Sequence, residues 1–203
     1  MKQINIGHKI FIVILAAGSS SRMGESKQLL RVNGEPLLLR SSMAALDSGV
    51  ENVVVVLGAN EKAHRNIIQD LPLTIVHNPG WQKGMGNTIK GGLRHVLKMA
   101  PDTEAVMVMV CDQPRLTSAH LKNLIQQYRK SKSKIVASYY SHTTGVPALF
   151  DKSLFQNLFA LEDGQGAKKI LGHFQDLTQT VRFDGGEIDL DTLSDYQNFI
   201  EIG

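Results

Sequence analysis

The sequence predicts an α/β fold, a mainly parallel, doubly wound sheet of Rossmann-like type with helices on both faces. Three observations carry this. Phe11 to Leu15, Val53 to Leu57 and Ala105 to Val110 are unbroken apolar runs rich in β-branched residues, the pattern of strands buried on both sides. Helical segments separate them, so the order strand, helix, strand, helix, strand calls for parallel pairing through right-handed crossovers. Small-residue loops follow the apolar runs, at the strand ends where such sheets bind ligands.

The first run opens into Ala16-Ala17-Gly18-Ser19-Ser20-Ser21-Arg22-Met23-Gly24, then Glu25-Ser26-Lys27. Ala16, Ala17 and Gly18 let another molecule approach the backbone, and Arg22 and Lys27 supply positive charge. A buried strand opening into such a loop suits a phosphate cradle. A Walker A loop is excluded because Glu25 follows Gly24, and a dinucleotide fingerprint is excluded because its second and third glycines are missing.

Asn33-Gly34 marks a tight turn, and Pro36 opens a helix at its first position, with Leu37, Leu38, Met43, Ala44 and Leu46 as its apolar face and Gly49 ending it. Glu61 to Gln69 reads as a helix and Leu73 to His77 as a strand. The loop from His77 to Thr88 then carries Gly84 and Gly86, which again permit close approach, and Asn87 or Thr88 caps a helix to about Met99. The run ending at Val110 is followed by Cys111-Asp112-Gln113-Pro114, with Thr117 or Ser118 capping a helix to about Lys130. Asp112 stands at the carboxyl end of a central strand beside a phosphate cradle, which suits a magnesium ligand, since that ion takes one or two carboxylates plus phosphate and water. Cys111 reads as a packed thiol, because no histidine in its segment could activate it.

Lys134 to Tyr139 is a fifth strand, and Gly145 to Phe150 follows, where Pro147 suits an edge strand. Asp151 caps a helix to about Leu161, Asp163 to Ala167 opens a short helix to about Gly172, and Leu177 to Phe183 is a late strand. The closing segment holds Asp189 and Asp191, which point the same way in an extended chain; Asp191 could also cap the last helix.

The chain has 203 residues, 42% hydrophobic and 20% charged, and reads as a single domain with enough core to fold unaided. A net charge of +3 and a longest basic run at residues 129–134, without interleaved aromatics, argue against nucleic acid. No apolar run reaches the roughly 20 residues of a membrane span. No signal peptide opens the chain and one cysteine excludes an internal disulfide, so a cytoplasmic location is expected. The seven histidines show no zinc-type pairing.

Leu15 to Gly24 resembles the signature Leu-Ala-(Ala/Gly)-Gly-x-Ser-x-Arg-Met-Gly of the nucleotidyltransferases that build molybdenum cofactor dinucleotides. Four further motifs follow in that family's order: Asn78-Pro79-Gly80-Trp81 to Thr88, Asp112-Gln113-Pro114, Gly145-Val146-Pro147-Ala148-Leu149-Phe150, and Asp189 to Tyr196. Asp163-Gly164-Gln165-Gly166-Ala167 matches the family's Gly-Asp-x-Gly-Ala only in part, since Glu162 replaces the first glycine, and the last motif carries Leu193 where the family carries proline. Ala17 points within the family to the molybdenum cofactor cytidylyltransferases. The resemblance implies a nucleotide-diphospho-sugar transferase type of fold and transfer of CMP from CTP to the terminal phosphate of molybdopterin, with release of pyrophosphate. It implies Mg2+ on Asp112 and Asp191, and phosphate binding by Arg22 and Lys27. Nucleotide binding would fall to Leu15, Ala16, Ala17, Gly18, Ser19, Ser20, Gly84, Met85, Gly86, Asn87, Thr88 and Asp112, and the acceptor to Gln113, Pro114, Gly145 and Pro147. Two rival readings are a transferase for a sugar or alditol phosphate and a chaperone that carries the finished cofactor to a molybdenum hydroxylase. The aspartate pair favours the enzyme.

Overall fold

The computed structural model describes residues 9–21, 23–131 and 133–202. Arg22, which the sequence places in the phosphate cradle, lies outside the described residues.

β1 (Ile10–Ala16) is buried along its whole length, as its unbroken apolar run requires. Asn33 (φ 53°) and Gly34 (φ 84°) turn β2 (Arg31–Val32) into β3 (Glu35–Pro36); two positive φ angles make the type I′ geometry that Asn-Gly favours. Pro36 ends β3, and α1 (Leu37–Leu46) begins one residue after it. Its buried positions are Leu37, Leu38, Ser41, Ser42 and Ala45, while Met43 is exposed. The 3.6-residue period decides this, selecting two serines for the buried arc and turning a methionine to solvent. The Ser41 hydroxyl compensates by donating to the Leu38 carbonyl at 3.1 Å.

β4 (Asn52–Leu57), α2 (Glu61–Ile68), β5 (Thr74–His77), α3 (Met85–Met99), β6 (Ala105–Val110) and α4 (Ser118–Lys130) follow in the expected alternation. Thr117 caps α4, accepting from the His120 amide. α3 begins earlier than a cap at Asn87 or Thr88 would allow: it starts directly after Gly84, and the Thr88 hydroxyl lies inside the helix, donating to the Gly84 carbonyl at 3.3 Å.

β7 (Ile135–Tyr140) and β8 (Thr143–Asp151) form a hairpin through Ser141 and His142. α5 (Phe155–Phe159), α6 (Lys168–His173), β9 (Thr178–Arg182) and α7 (Leu193–Ile202) complete the chain. Thr192 and Asp195 cap α7 reciprocally, each side chain bonding the other's backbone amide.

Among the described residues, seven strands form one sheet in the order β5-β4-β1-β6-β8-β7-β9. β8 alone runs antiparallel to its neighbours. Pro147 is therefore on an interior strand, not at an edge. The ladder is interrupted where it sits, since pairing to β6 stops at Ala148 and the register with β7 shifts between Ala137 and Ser138. A residue with no amide hydrogen fits such an irregularity. One core packs α1, α2 and α4 on one face of the sheet, and a second packs α3, α5 and α6 on the other. The chain winds from β1 out through β4 to β5, then returns to β6 on the opposite side of β1, so the switch point of the topology lies between β1 and β6.

Candidate active site

Leu15 at the end of β1 pairs with Val110 at the end of β6. The loops that follow therefore leave the sheet side by side, and the cradle meets Asp112. The cradle is folded back on itself by Gln28, which is buried. Its amide nitrogen donates to the Gly18 carbonyl at 2.9 Å, and its amide oxygen accepts from Ser26 at 2.6 Å and Ser20 at 3.1 Å. Ser20, at φ 56°, in turn accepts from the Lys27 amide at 3.0 Å. Behind them His64 of α2, fully buried and held below its ordinary pKa by that burial, hydrogen-bonds Ser26 at 2.6 Å. Local folding thus fixes the base of Lys27 before any ligand arrives.

The Lys27 ammonium reaches two carboxylates that are distant in sequence. It donates to Asp112 Oδ2, and to Asp191 Oδ1 at 3.0 Å. Burial alone would lower the Lys27 pKa, but the adjacent Asp112 charge, with Asp191, outweighs it and raises it. Asp189 lies close by: burial, and then the charges of Asp112 and Asp191, push its carboxyl up to about 7. The segment is tied down twice. The Leu190 amide donates to the Asp112 carbonyl at 3.1 Å, and the fully buried Leu190 side chain packs with Met23, Leu30, Val32 and Leu37. Two acids distant in sequence, Asp112 and Asp191, therefore share one lysine at the switch point, with Asp189 near enough to feel their charge.

Beside them opens a pocket of about 200 Å³, lined by Leu15, Ala17, Gly18, Lys27, Trp81 and Met85 among others, with Gly84, Thr88 and Asp112 also on its wall. A Cβ built on Gly18 would meet nothing within 4 Å, so the cradle backbone faces open space. Gly84 has φ +119°, and a Cβ there would stand 2.6 Å from the Asp163 carbonyl, which explains a glycine at the head of α3. Gly86 and Asn87 face away from the pocket toward the 162–166 loop; the Gly86 amide donates to the Asp163 carbonyl at 2.8 Å. Ala16 belongs to the core on the α1 face and Ser19 is exposed, so neither lines the pocket.

The residues assigned to the acceptor do structural work. Gln113 is buried and its amide nitrogen donates to the carbonyls of Gly186 at 2.8 Å and Val146 at 3.2 Å, clamping β8 against the loop after β9. Gly145 leaves room for the Tyr140 hydroxyl, and the Pro147 carbonyl accepts from Ser138 at 2.7 Å. Pro114 lines a different cavity. Cys111 is buried, and burial pushes its thiol up to about 12, so it is not a nucleophile at neutral pH. The sequence left Gln28, His64 and Leu190 unmarked. Gln28 also needs the Gly18 carbonyl ten residues back, His64 needs Ser26 across 38 residues, and Leu190 packs on residues far earlier in the chain, so no local spacing announces them.

Among the described residues no group of three histidine, cysteine or acidic side chains is gathered as a ready metal cage. The donors present are carboxylates, and Asp112 Oδ1 is buried with no hydrogen-bond partner. An oxygen-only pair with one unused buried lone-pair site fits a hard divalent ion completed by phosphate and water. No described helix is long and apolar enough to cross a membrane.

Comparison with known proteins shows the family. The purine catabolism protein PucB of Bacillus subtilis is 29% identical over 199 residues, covering 91% of this chain and 92% of that one. A probable molybdenum cofactor guanylyltransferase of Synechococcus elongatus is 33% identical over 116 residues, 57% of this chain and 56% of that one. Rv0371c of Mycobacterium tuberculosis H37Rv superposes with a TM-score of 0.82 at 24% identity, covering 96% of this chain and 99% of that one. The same protein has been solved in complex with manganese, matching with a TM-score of 0.72 at 24% identity over 95% of this chain and 98% of that one. The model of the MobA-like NTP transferase domain matches residues 12–180, and the chain belongs to that family as a nucleotidyltransferase.

Proposed function

We propose that the protein transfers CMP from CTP to the terminal phosphate of a molybdopterin-type acceptor and releases pyrophosphate. The observation that carries this reading is the convergence of Lys27, Asp112 and Asp191 at the mouth of a small pocket whose inner wall is the Gly18 cradle. The cradle backbone and the Lys27 ammonium bind the triphosphate, and Lys27 neutralises charge on the departing pyrophosphate. An oxygen of the acceptor phosphate forms the new bond to the α-phosphorus, and the bond to the β-phosphate bridge breaks with its electron pair leaving on pyrophosphate. The attacking oxygen is already anionic, so no general base is required. Asp112 and Asp191 would hold magnesium, which when bound orients and neutralises the reacting phosphate oxygens. Rate then comes from positioning and electrostatics. Gln113, Gly145 and Pro147 shape the wall on the acceptor side by bracing β8. The product's proposed destination is a molybdenum hydroxylase, and a single buried cysteine suits a reducing cytoplasm.

The choice of cytosine rests on pocket size. At about 200 Å³ the pocket is small for a nucleoside site, and the buried Ala17 methyl lines it. Ala17 cannot retreat, because its carbonyl accepts from the Ala59 amide at 2.9 Å and a Cβ on Gly58 would stand 2.6 Å from that oxygen. Pyrophosphate release should be measured with CTP and GTP, with and without molybdopterin, on wild type and Ala17→Gly. CTP should lead in wild type. Ala17→Gly should raise kcat/KM for GTP by a factor within the roughly 10–200-fold that one methyl group confers. A wild-type preference for GTP would remove the cytidylyl reading and leave the nucleotidyltransferase standing.

A further inference from the structure

The two faces of the sheet carry different recesses near the carboxyl ends of the strands. The pocket described above draws its wall from β1, β6 and α3. On the α1–α4 face lies a larger cavity of about 740 Å³, within the range of sites that take small ligands. Its wall holds three guanidinium groups, from Arg31, Arg40 and Arg115. Among the described residues Asp184 is the one acid on that wall, and it is already paired with Arg182 at 2.6 Å. Arg40 has capacity to spare. Its Nε is buried with no hydrogen-bond partner, its Nη2 reaches the Pro114 carbonyl only at 3.4 Å, and Glu35 stands 3.7 Å from its Nη1. Arg31 and Arg115 are paired with no carboxylate among the described residues; Arg31 donates to the Gly34 carbonyl at 2.6 Å. Tyr196 and Phe199 of α7 also line the cavity and give it an aromatic component. Val32 of the small core that also holds Met23, Leu30, Leu37 and Leu190 lines this cavity.

We propose that this cavity is a second binding site, for a small organic anion that carries a phosphate or carboxylate on an aromatic or apolar body. Arg40 and Arg115 hold the anion, Arg31 closes the rim, and the body lies against Tyr196 and Phe199. Guanidinium groups present paired donors that match both oxyanions, and an arginine with an unsatisfied buried Nε gains from such a partner. The occupant is separate from the nucleotide, because the two recesses share no lining residue.

The test is a titration of the full chain with phenyl phosphate, benzoate and benzyl alcohol, followed through backbone amide shifts in 1H-15N spectra. Phenyl phosphate should saturate shifts at Arg115, Leu116, Thr117 and Tyr196. Benzoate distinguishes the anion: similar affinity identifies a site for carboxylates as well, and weaker binding identifies a phosphate site. Arg40→Gln and Arg115→Gln should each weaken binding about 10-fold, the weight of one charge-assisted hydrogen bond, with melting temperatures unchanged. If Arg40→Gln unsettles α1, Arg31→Gln at the rim gives the same reading. The proposal is overturned if the shifts are confined to Gly18, Lys27 and Gly84, if the variants bind as wild type does, or if neutral benzyl alcohol binds as tightly as phenyl phosphate.

Discussion

Lys27→Ala removes the ammonium that joins Asp112 to Asp191 and leaves two carboxylates facing each other. The Asp112 side chain is 13% exposed and that of Asp191 is 40% exposed, so the lost interaction lies between a surface ion pair and a buried one. A surface pair is worth up to about 1 kcal/mol, and breaking a buried pair costs about 3–5 kcal/mol. An intermediate loss of about 2–3 kcal/mol follows, which lowers Tm by roughly 4–12 °C in a chain of this size. Asp191→Asn alone also loses a partner of Lys27. Combined with Lys27→Ala, however, it removes one of the two opposed charges, so the double variant should be more stable than the sum of single losses predicts, by about 1–2 kcal/mol. Urea unfolding at pH 7.5 without divalent ions gives all four corners of the cycle. Additivity within about 0.3–0.5 kcal/mol would show that the three side chains do not act as one unit and would refute the reasoning. Nucleotide titration on the same proteins should show weaker CTP binding in both variants that lack Lys27.

Leu190→Ala should destabilise the protein by about 2–4 kcal/mol, since a fully buried leucine leaves a cavity, and should reduce kcat further than the stability loss explains because the same residue aims Asp191; thermal melts and initial rates on the folded fraction separate the two. The pH dependence of stability should report His120, which burial holds down at about 4 while it stacks on Phe183 and bonds Ser138 at 2.8 Å. The folded state keeps this ring neutral while the unfolded chain binds a proton below its ordinary value of 6.5, so stability should fall as pH drops from 6.5 toward 4, by up to about 3 kcal/mol. His120→Gln should flatten unfolding curves across that window.

The strands were legible because double-sided burial leaves a continuous apolar run, and Ala105–Val110 is the strand that the run delimits. Helix starts were less so. A cap at Thr88 looked sound from its hydroxyl, but the 162–166 loop packs on Gly84 and Gly86 and lets α3 begin at Met85. Pro147 reads as an edge residue only while the interruption in the β7–β8 ladder is unknown. In the site, Lys27, Asp112 and Asp191 were visible as charged residues within motifs, Asp112 just past the end of a strand. Gln28 and His64 were not, because a buried amide and a buried imidazole earn their place through partners that only the fold supplies. The arginine cavity was equally invisible, since Arg31, Arg40 and Arg115 come from three separate elements.

The attachment of the chain after β9 has a consequence for how the molecule breathes. Both main cores close on residues no later than Phe183, whereas Asp189 and Asp191 hang from the small cluster around Leu190 and from the Tyr196 hydroxyl, which donates to the Arg31 carbonyl at 2.8 Å. Detaching that cluster exposes a few apolar side chains rather than a domain's worth, so it needs only a fraction of the global unfolding free energy. The sheet would stay intact during such an opening, with Lys27 and Asp112 still joined. The C-terminal segment therefore forms its own unit of local stability, and the acid it carries is present in the site only while that unit is latched.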